Sequence, residues 1–133
     1  MNYEQIKTFV GLSDCSQGYS LKELLHAEKR LNRLLPISLR KYYQCFGKDA
    51  LLTNAFHKLV NPLEISFQNG YIVFYEENQG VWVAGFQVEK LPAEDTSVWL
   101  TYDHGQSWEK FCDKLSEFLI SMSFFRYWRG GIM

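Results

Sequence analysis

Tyr71–Val88 reads YIVFYEENQGVWVAGFQV, and its interpretation decides the fold. Two runs rich in β-branched and aromatic residues flank ENQG (77–80), whose Asn and Gly accept the positive φ that tight hairpins require. The stretch therefore predicts two antiparallel strands. Upstream, LEISF (63–67) is a third such run, cut off by QNG (68–70). Downstream, VWLTY (98–102) follows the acidic loop LPAEDTS (91–97) and makes a fourth strand, since hairpin-linked strands usually pair with their neighbours. Trp108–Cys112 is an ambiguous further candidate for an edge strand.

On either side of this meander the period is helical. Tyr3, Ile6 and Val10 predict a short helix over Asn2–Val10, stopped by Gly11. SLKE (20–23) is a capping box, with Ser20 and Glu23 each able to satisfy the other's backbone N–H and Tyr19 and Leu24 placed as a hydrophobic staple. The apolar row behind it, from Leu21 through Leu31, Leu34 and Leu35, keeps the helical period up to Pro36. Pro36 suits the first turn of a second helix and Gly47 its end, with Leu39, Tyr42, Tyr43 and Phe46 on one face. Asp49–Phe56 has room for one more turn before NPLE (61–64) breaks the chain. Leu115, Phe118, Leu119, Met122 and Phe125 predict a last helix capped by Asp113 or Ser116, and its tail RYWRGGIM (126–133) is expected to fray at the glycines. Helices, a meander and a helix add up to an α+β fold: an antiparallel meander of about four to six strands with helices packed on one face, in a single domain over residues 1–133.

The composition agrees. With 133 residues, 47% hydrophobic and 22% charged, the chain can bury roughly 65–70% of its unfolded surface in one core. It is too apolar for disorder, and no apolar run approaches the roughly 20 residues of a membrane span. MNYEQIKTFVGLSDC (1–15) lacks the basic leader and apolar stretch of a signal peptide, so the cytoplasm is the expected compartment. Three cysteines, Cys15, Cys45 and Cys112, without CxxC spacing, are expected to be free thiols.

The net charge of −1 hides a partition. Residues 64–103 hold seven acids against Lys90 alone, whereas residues 1–63 hold nine bases against five acids. An acidic middle argues against nucleic acid, whose binding depends on Lys and Arg contacts to phosphate, and favours a basic protein partner.

Catalytic constellations are weak. Glu76 and Glu77 could be taken for an acid pair, yet neighbours on a strand point to opposite faces and cannot converge on one bond unless the hairpin is bulged there. No motif around the cysteines resembles that of a thiol nucleophile. His26, His57 and His104 lack metal-ligand spacing, and YDHGQSW (102–108) reads as a turn in which Asp binds its own downstream amides. No catalytic residue, metal site or cofactor is assigned. What remains is surface: Glu76, Glu77, Asn78, Gln79 and Trp82 on the hairpin, with Glu94 and Asp95 in the acidic loop, are the candidate partner-binding residues, and Trp82 is either their anchor or part of the core.

LLPISLRKYYQCFG (34–47), AFHKLVNP (55–62), YIVFYEENQGVWVAGF (71–86) and LSEFL (115–119) are similar, in order and spacing, to the SUKH superfamily, Smi/Knr-type proteins that include a fungal cell-wall-synthesis regulator and many bacterial immunity proteins. The resemblance covers roughly Leu24–Met122, and FYEENQGVW (74–82) is its most specific element. It implies an α+β fold, no catalysis, and the binding and neutralisation of a toxin domain, often a nuclease. A regulatory scaffold of the fungal type is the alternative, and a small hydrolase the third choice.

Overall fold

The computed structural model describes residues 18–49 and 57–132, with side chains through Ser123. The expected helix at Asn2–Val10 and nearly all of the turn at Asp49–Phe56 lie outside the described residues. In chain order the elements are α1 (Leu21–Leu31), α2 (Ile37–Phe46), β1 (Lys58–Leu59), β2 (Ser66–Gln68), β3 (Tyr71–Glu76), β4 (Val83–Gln87), a short 3-10 turn (Val88–Lys90), β5 (Val98–Thr101), β6 (Glu109–Cys112) and α3 (Leu115–Ile132).

The capping box forms as expected. Ser20 N–H donates to Glu23 Oε1 at 3.0 Å and Glu23 N–H donates to Ser20 Oγ at 3.1 Å. α1 then ends four residues earlier than its apolar period suggests. Asn32 adopts φ 55° and the N–H groups of Asn32 and Arg33 turn back to the carbonyls of Lys29 and Glu28. Asn tolerates the left-handed conformation, and the closing pair of bonds is a Schellman pattern. Leu34 and Leu35 thus follow the helix rather than extend it.

The sheet is antiparallel, with strand order β1-β3-β4-β5-β6 and β2 beside β3 on the same edge as β1. Asn69 and Gly70, at φ 50° and 86°, form the two-residue loop between β2 and β3, the conformation that Asn-Gly pairs favour. β1 was not visible in the sequence, and LEISF contributes only its end to β2. The ambiguous segment before Asp113 is strand β6, paired with β5.

One irregularity shapes everything near the hairpin. Between β3 and β4 the register runs Val73↔Gly85 and then Tyr75↔Ala84, leaving Phe74 as an extra residue. A bulge of this kind breaks the alternation of faces. Phe74 and Tyr75, adjacent in sequence, consequently both meet Phe118 of α3, at ring-centroid distances of 5.7 and 5.1 Å. Truncating an aromatic so placed costs about 3–5 kcal/mol. α2 joins this side through Tyr42, whose hydroxyl is hydrogen-bonded to Ser123 of α3, and Tyr43, which donates to the carbonyl of Val60. The described core is one cluster reaching from Leu24 to Leu119.

The other sheet face carries Tyr71, stacked on Trp108 at 4.2 Å and edge-on to Trp99 at 5.9 Å. The turn between β5 and β6 folds over this face. A Cβ on Gly85 would sit 3.1 Å from the Trp108 indole and 2.9 Å from Ile72 O, so the strand is bare where the indole lies.

α3 is capped from a distance. Neither Asp113 nor its own Ser116 side chain closes it; Leu115 N–H donates to Thr96 O, and Asp95 accepts from Ser116. The helix continues through Gly130 to Ile132 instead of fraying at the glycines. Cys45 carries a disulfide and Cys112 is a free, half-buried thiol, which corrects the expectation of three free thiols. Among the described residues no helix is long and apolar enough to cross a membrane.

Candidate partner-binding site

The hairpin between β3 and β4 is built around Glu77. Its backbone N–H donates to Trp82 O at 3.0 Å, and its carbonyl accepts from Gly80 N–H at 3.0 Å. Its carboxylate reaches forward as well, accepting from Gln79 N–H at 2.6 Å and Val81 N–H at 3.2 Å. One side chain thus satisfies two donors that a turn would otherwise leave to water, and holds the tip in one conformation. Asn78, Gln79, Gly80 and Val81 are the exposed residues of that tip.

Trp82 sets the hairpin on the body of the protein. It is half-buried, lies nearly parallel to Tyr75 at 6.2 Å and 15°, and meets the His57 ring edge-on at 5.4 Å. His57 Nδ1 accepts from Asn78 N–H at 3.3 Å, so the residue before β1 braces the tip from the side. Trp82 is therefore neither a free anchor nor fully core: one side packs inward, and the rest borders a cavity of about 50 Å³ shared with Val83, Thr101, Tyr102 and His104.

Glu76 ends β3 opposite Val83 and Lys58. The bulge lies upstream, at Phe74, and the pairing is regular at Glu76, while Glu77, just past the strand, turns its carboxylate onto the N–H groups of Gln79 and Val81. The pair does not converge as an acid and a nucleophile would.

Glu94 and Asp95 are not brought to this end of the sheet. They precede β5, whereas the tip precedes β4, so the two groups lie at opposite ends of an antiparallel strand pair. The loop instead closes the start of two helices. Ile37 and Ser38 N–H groups donate to the carbonyls of Ala93 and Glu94, Ser38 Oγ donates to Asp95 Oδ1 at 3.0 Å, and Ser116 donates to both Asp95 oxygens at 3.2 and 2.6 Å. Asp95 is a structural cap for α3, and Glu94 is exposed beside it.

Asp103 plays a comparable part in the turn over the sheet. It accepts from Ser107 N–H at 2.9 Å, Ser107 Oγ at 2.6 Å and Thr101 Oγ1 at 2.8 Å. These donors, the Ser107 hydroxyl foremost, lower its pKa to about 2. His104 and Gly105 take positive φ, at 58° and 85°, which completes the turn expected of YDHGQSW. Hydrogen bonding to neutral donors leaves the charge in place, so Glu77, Asp95 and Asp103 still contribute to the negative field of the segment. What they lose is freedom to rearrange around a ligand.

Elsewhere, burial raises the pKa of the Cys112 thiol, which disfavours the reactive thiolate. Among the described residues no group of three His, Cys, Asp or Glu is placed to hold a metal ion. Sequence reasoning missed His57, Thr101 and Tyr102 as neighbours of Trp82; the Val83↔Thr101 pairing joins β5 to the hairpin, and strand pairing is not written in either segment alone. The chain matches no family model, no curated protein and no solved structure.

Proposed function

We propose that the protein is a binding module of the SUKH type, whose working surface is the tip at Asn78–Val81 with Glu76 and Trp82 at its base, and that it neutralises a basic toxin domain as immunity proteins do. One observation carries this reading: an exposed tip of four residues is held rigid by the Glu77 carboxylate and braced by His57 and Trp82. A loop whose conformation is fixed before binding loses less entropy on association. The acid-rich segment around it adds a field that draws a basic partner and speeds encounter. The small cavity beside Trp82 has room for no more than the end of a side chain.

Within the seven candidates the roles divide. Asn78 and Gln79 offer contacts, Glu76 offers charge, Glu77 and Trp82 hold the shape, and Glu94 with Asp95 acts at most through the field. We place the protein in the cytoplasm of the cell that makes it. The disulfide at Cys45 weighs against that placement, because such bonds persist mainly in oxidising compartments. Alkylation in denaturant, applied directly to freshly lysed cells, decides it: a cytoplasmic protein is labelled at the buried Cys45 without reductant.

The test of function is protection. Cells expressing the partner toxin survive with the wild-type protein and die when Asn78 and Gln79 are both replaced by lysine, while the doubly substituted protein keeps its fold. Survival with the double variant contradicts the assignment of the surface.

A further inference from the structure

α1 carries a stripe of side chains that its own fold does not cover. Leu21 and Leu25, four residues apart, are 52% and 50% exposed, and Leu34 just past the helix is 53% exposed. Leu25, Lys29, Arg33 and Leu34 form one wall of a hollow of about 420 Å³, and Leu91 with Pro92 forms the other. Beyond Arg33 and Leu91 it runs on into a second hollow of about 700 Å³ above Gly70 and Tyr71. A contiguous exposed apolar patch with a polar rim is the form that protein docking surfaces take.

The rim has a definite sign. Glu28 lies at the floor, 4% exposed; Arg40 Nη2 and Leu35 N–H both donate to its Oε2, each at 2.7 Å, and Oε1 has no hydrogen-bond partner. Lys29 and Arg33 are left to set the potential. Neither is ion-paired with a described residue; Arg33 donates only to the carbonyl of its neighbour Asn32. Glu89 lines the second hollow and not the first.

We propose that this hollow is a second docking site, separate from the hairpin, for an acidic segment of a protein partner that inserts a large apolar side chain between Leu25 and Pro92. The walls select an apolar anchor, and Lys29 and Arg33 pair with carboxylates on either side of it. A phosphate backbone would meet the same two cations but would leave Leu25, Leu34 and Leu91 unused.

The experiment titrates the protein, labelled with nitrogen-15, with three short capped peptides: alternating glutamate and leucine, glutamate and serine, and lysine and leucine. The glutamate–leucine peptide shifts the amides of Leu25, Lys29, Arg33 and Leu34 and binds at least about tenfold more tightly than either of the others. Arg33→Glu and, separately, Leu25→Asp each remove that preference; both residues are exposed, and an otherwise unchanged spectrum verifies the fold of each variant. Equal shifts with the lysine–leucine peptide, no shift at millimolar peptide, or displacement of the peptide by a single-stranded oligonucleotide each overturn the proposal. So does a concentration-dependent dimer that covers the same amides.

Discussion

The Glu77 carboxylate accepts the backbone N–H of Gln79 at 2.6 Å, two residues further along the same hairpin. An acid that the charge pattern marks as a contact is thereby bound into the shape of the loop. Two substitutions separate shape from charge. Glu77→Gln removes the charge and keeps an acceptor, whereas Glu77→Ala removes both. The amides of Gln79 and Val81 stay protected from hydrogen exchange in the first and lose protection in the second, and the alanine variant unfolds at lower urea by about 1 kcal/mol. Equal protection in the two variants would mean that the carboxylate does not organise the tip.

Asp95 makes the same point at the other end of the sheet. Its oxygens receive Ser116 of α3 and Ser38 of α2, so Asp95→Ala removes a helix cap and a tie between two helices. Such a cap contributes about 1–2 kcal/mol. Chemical denaturation reads the loss directly. Binding of the partner at high salt, where the field of exposed charges is screened, remains unchanged.

Buried Glu28 calls for its own test. Arg40→Ala leaves a carboxylate that is 4% exposed without its cation. The expected cost is about 2–4 kcal/mol, below the top of the range for closed pairs because Arg40 itself is 27% exposed. Arg40→Ala combined with Glu28→Gln recovers part of it. A double variant no more stable than Arg40→Ala would show that packing, not charge, holds the pair in place.

Acid titration isolates Asp103. Its pKa is depressed to about 2, chiefly by the Ser107 hydroxyl and N–H and then by Thr101. A depressed carboxyl favours the folded state most above its unfolded value, about 3.9, and that contribution is lost as pH falls through about 2. Its carboxyl resonance accordingly titrates near pH 2, and Ser107→Ala moves the midpoint upward. A midpoint near 3.9 in the unsubstituted protein would mean that the turn is not closed by these bonds.

Particular residues show how far the sequence carried. The capping box at Ser20 and Glu23 and the Asn69-Gly70 turn were legible because each is a local pattern with one good geometry. The end of α1 was not, because Leu34 and Leu35 continue the apolar period after Asn32 has already reversed the chain. The bulge at Phe74 left no trace in YIVFY, where every residue is apolar and no change of face is marked. Asp95 read as a surface acid since its partner, Ser116, is 21 residues away. Hairpin residues were found together because they are contiguous; Glu94 and Asp95 shared their charge but not their place.

On the proposed reading the Asn78–Val81 tip binds a basic protein partner. Affinity capture from the source organism's lysate and secreted fraction, followed by a salt series on the purified partner, tests it most directly. The expected result is one toxin-like protein with a basic domain, whose affinity falls steadily as salt rises and drops at least about tenfold when Asn78 and Gln79 become lysine, with Arg33→Glu leaving it unchanged. A partner that binds equally well at high salt and to the doubly substituted tip would contradict it.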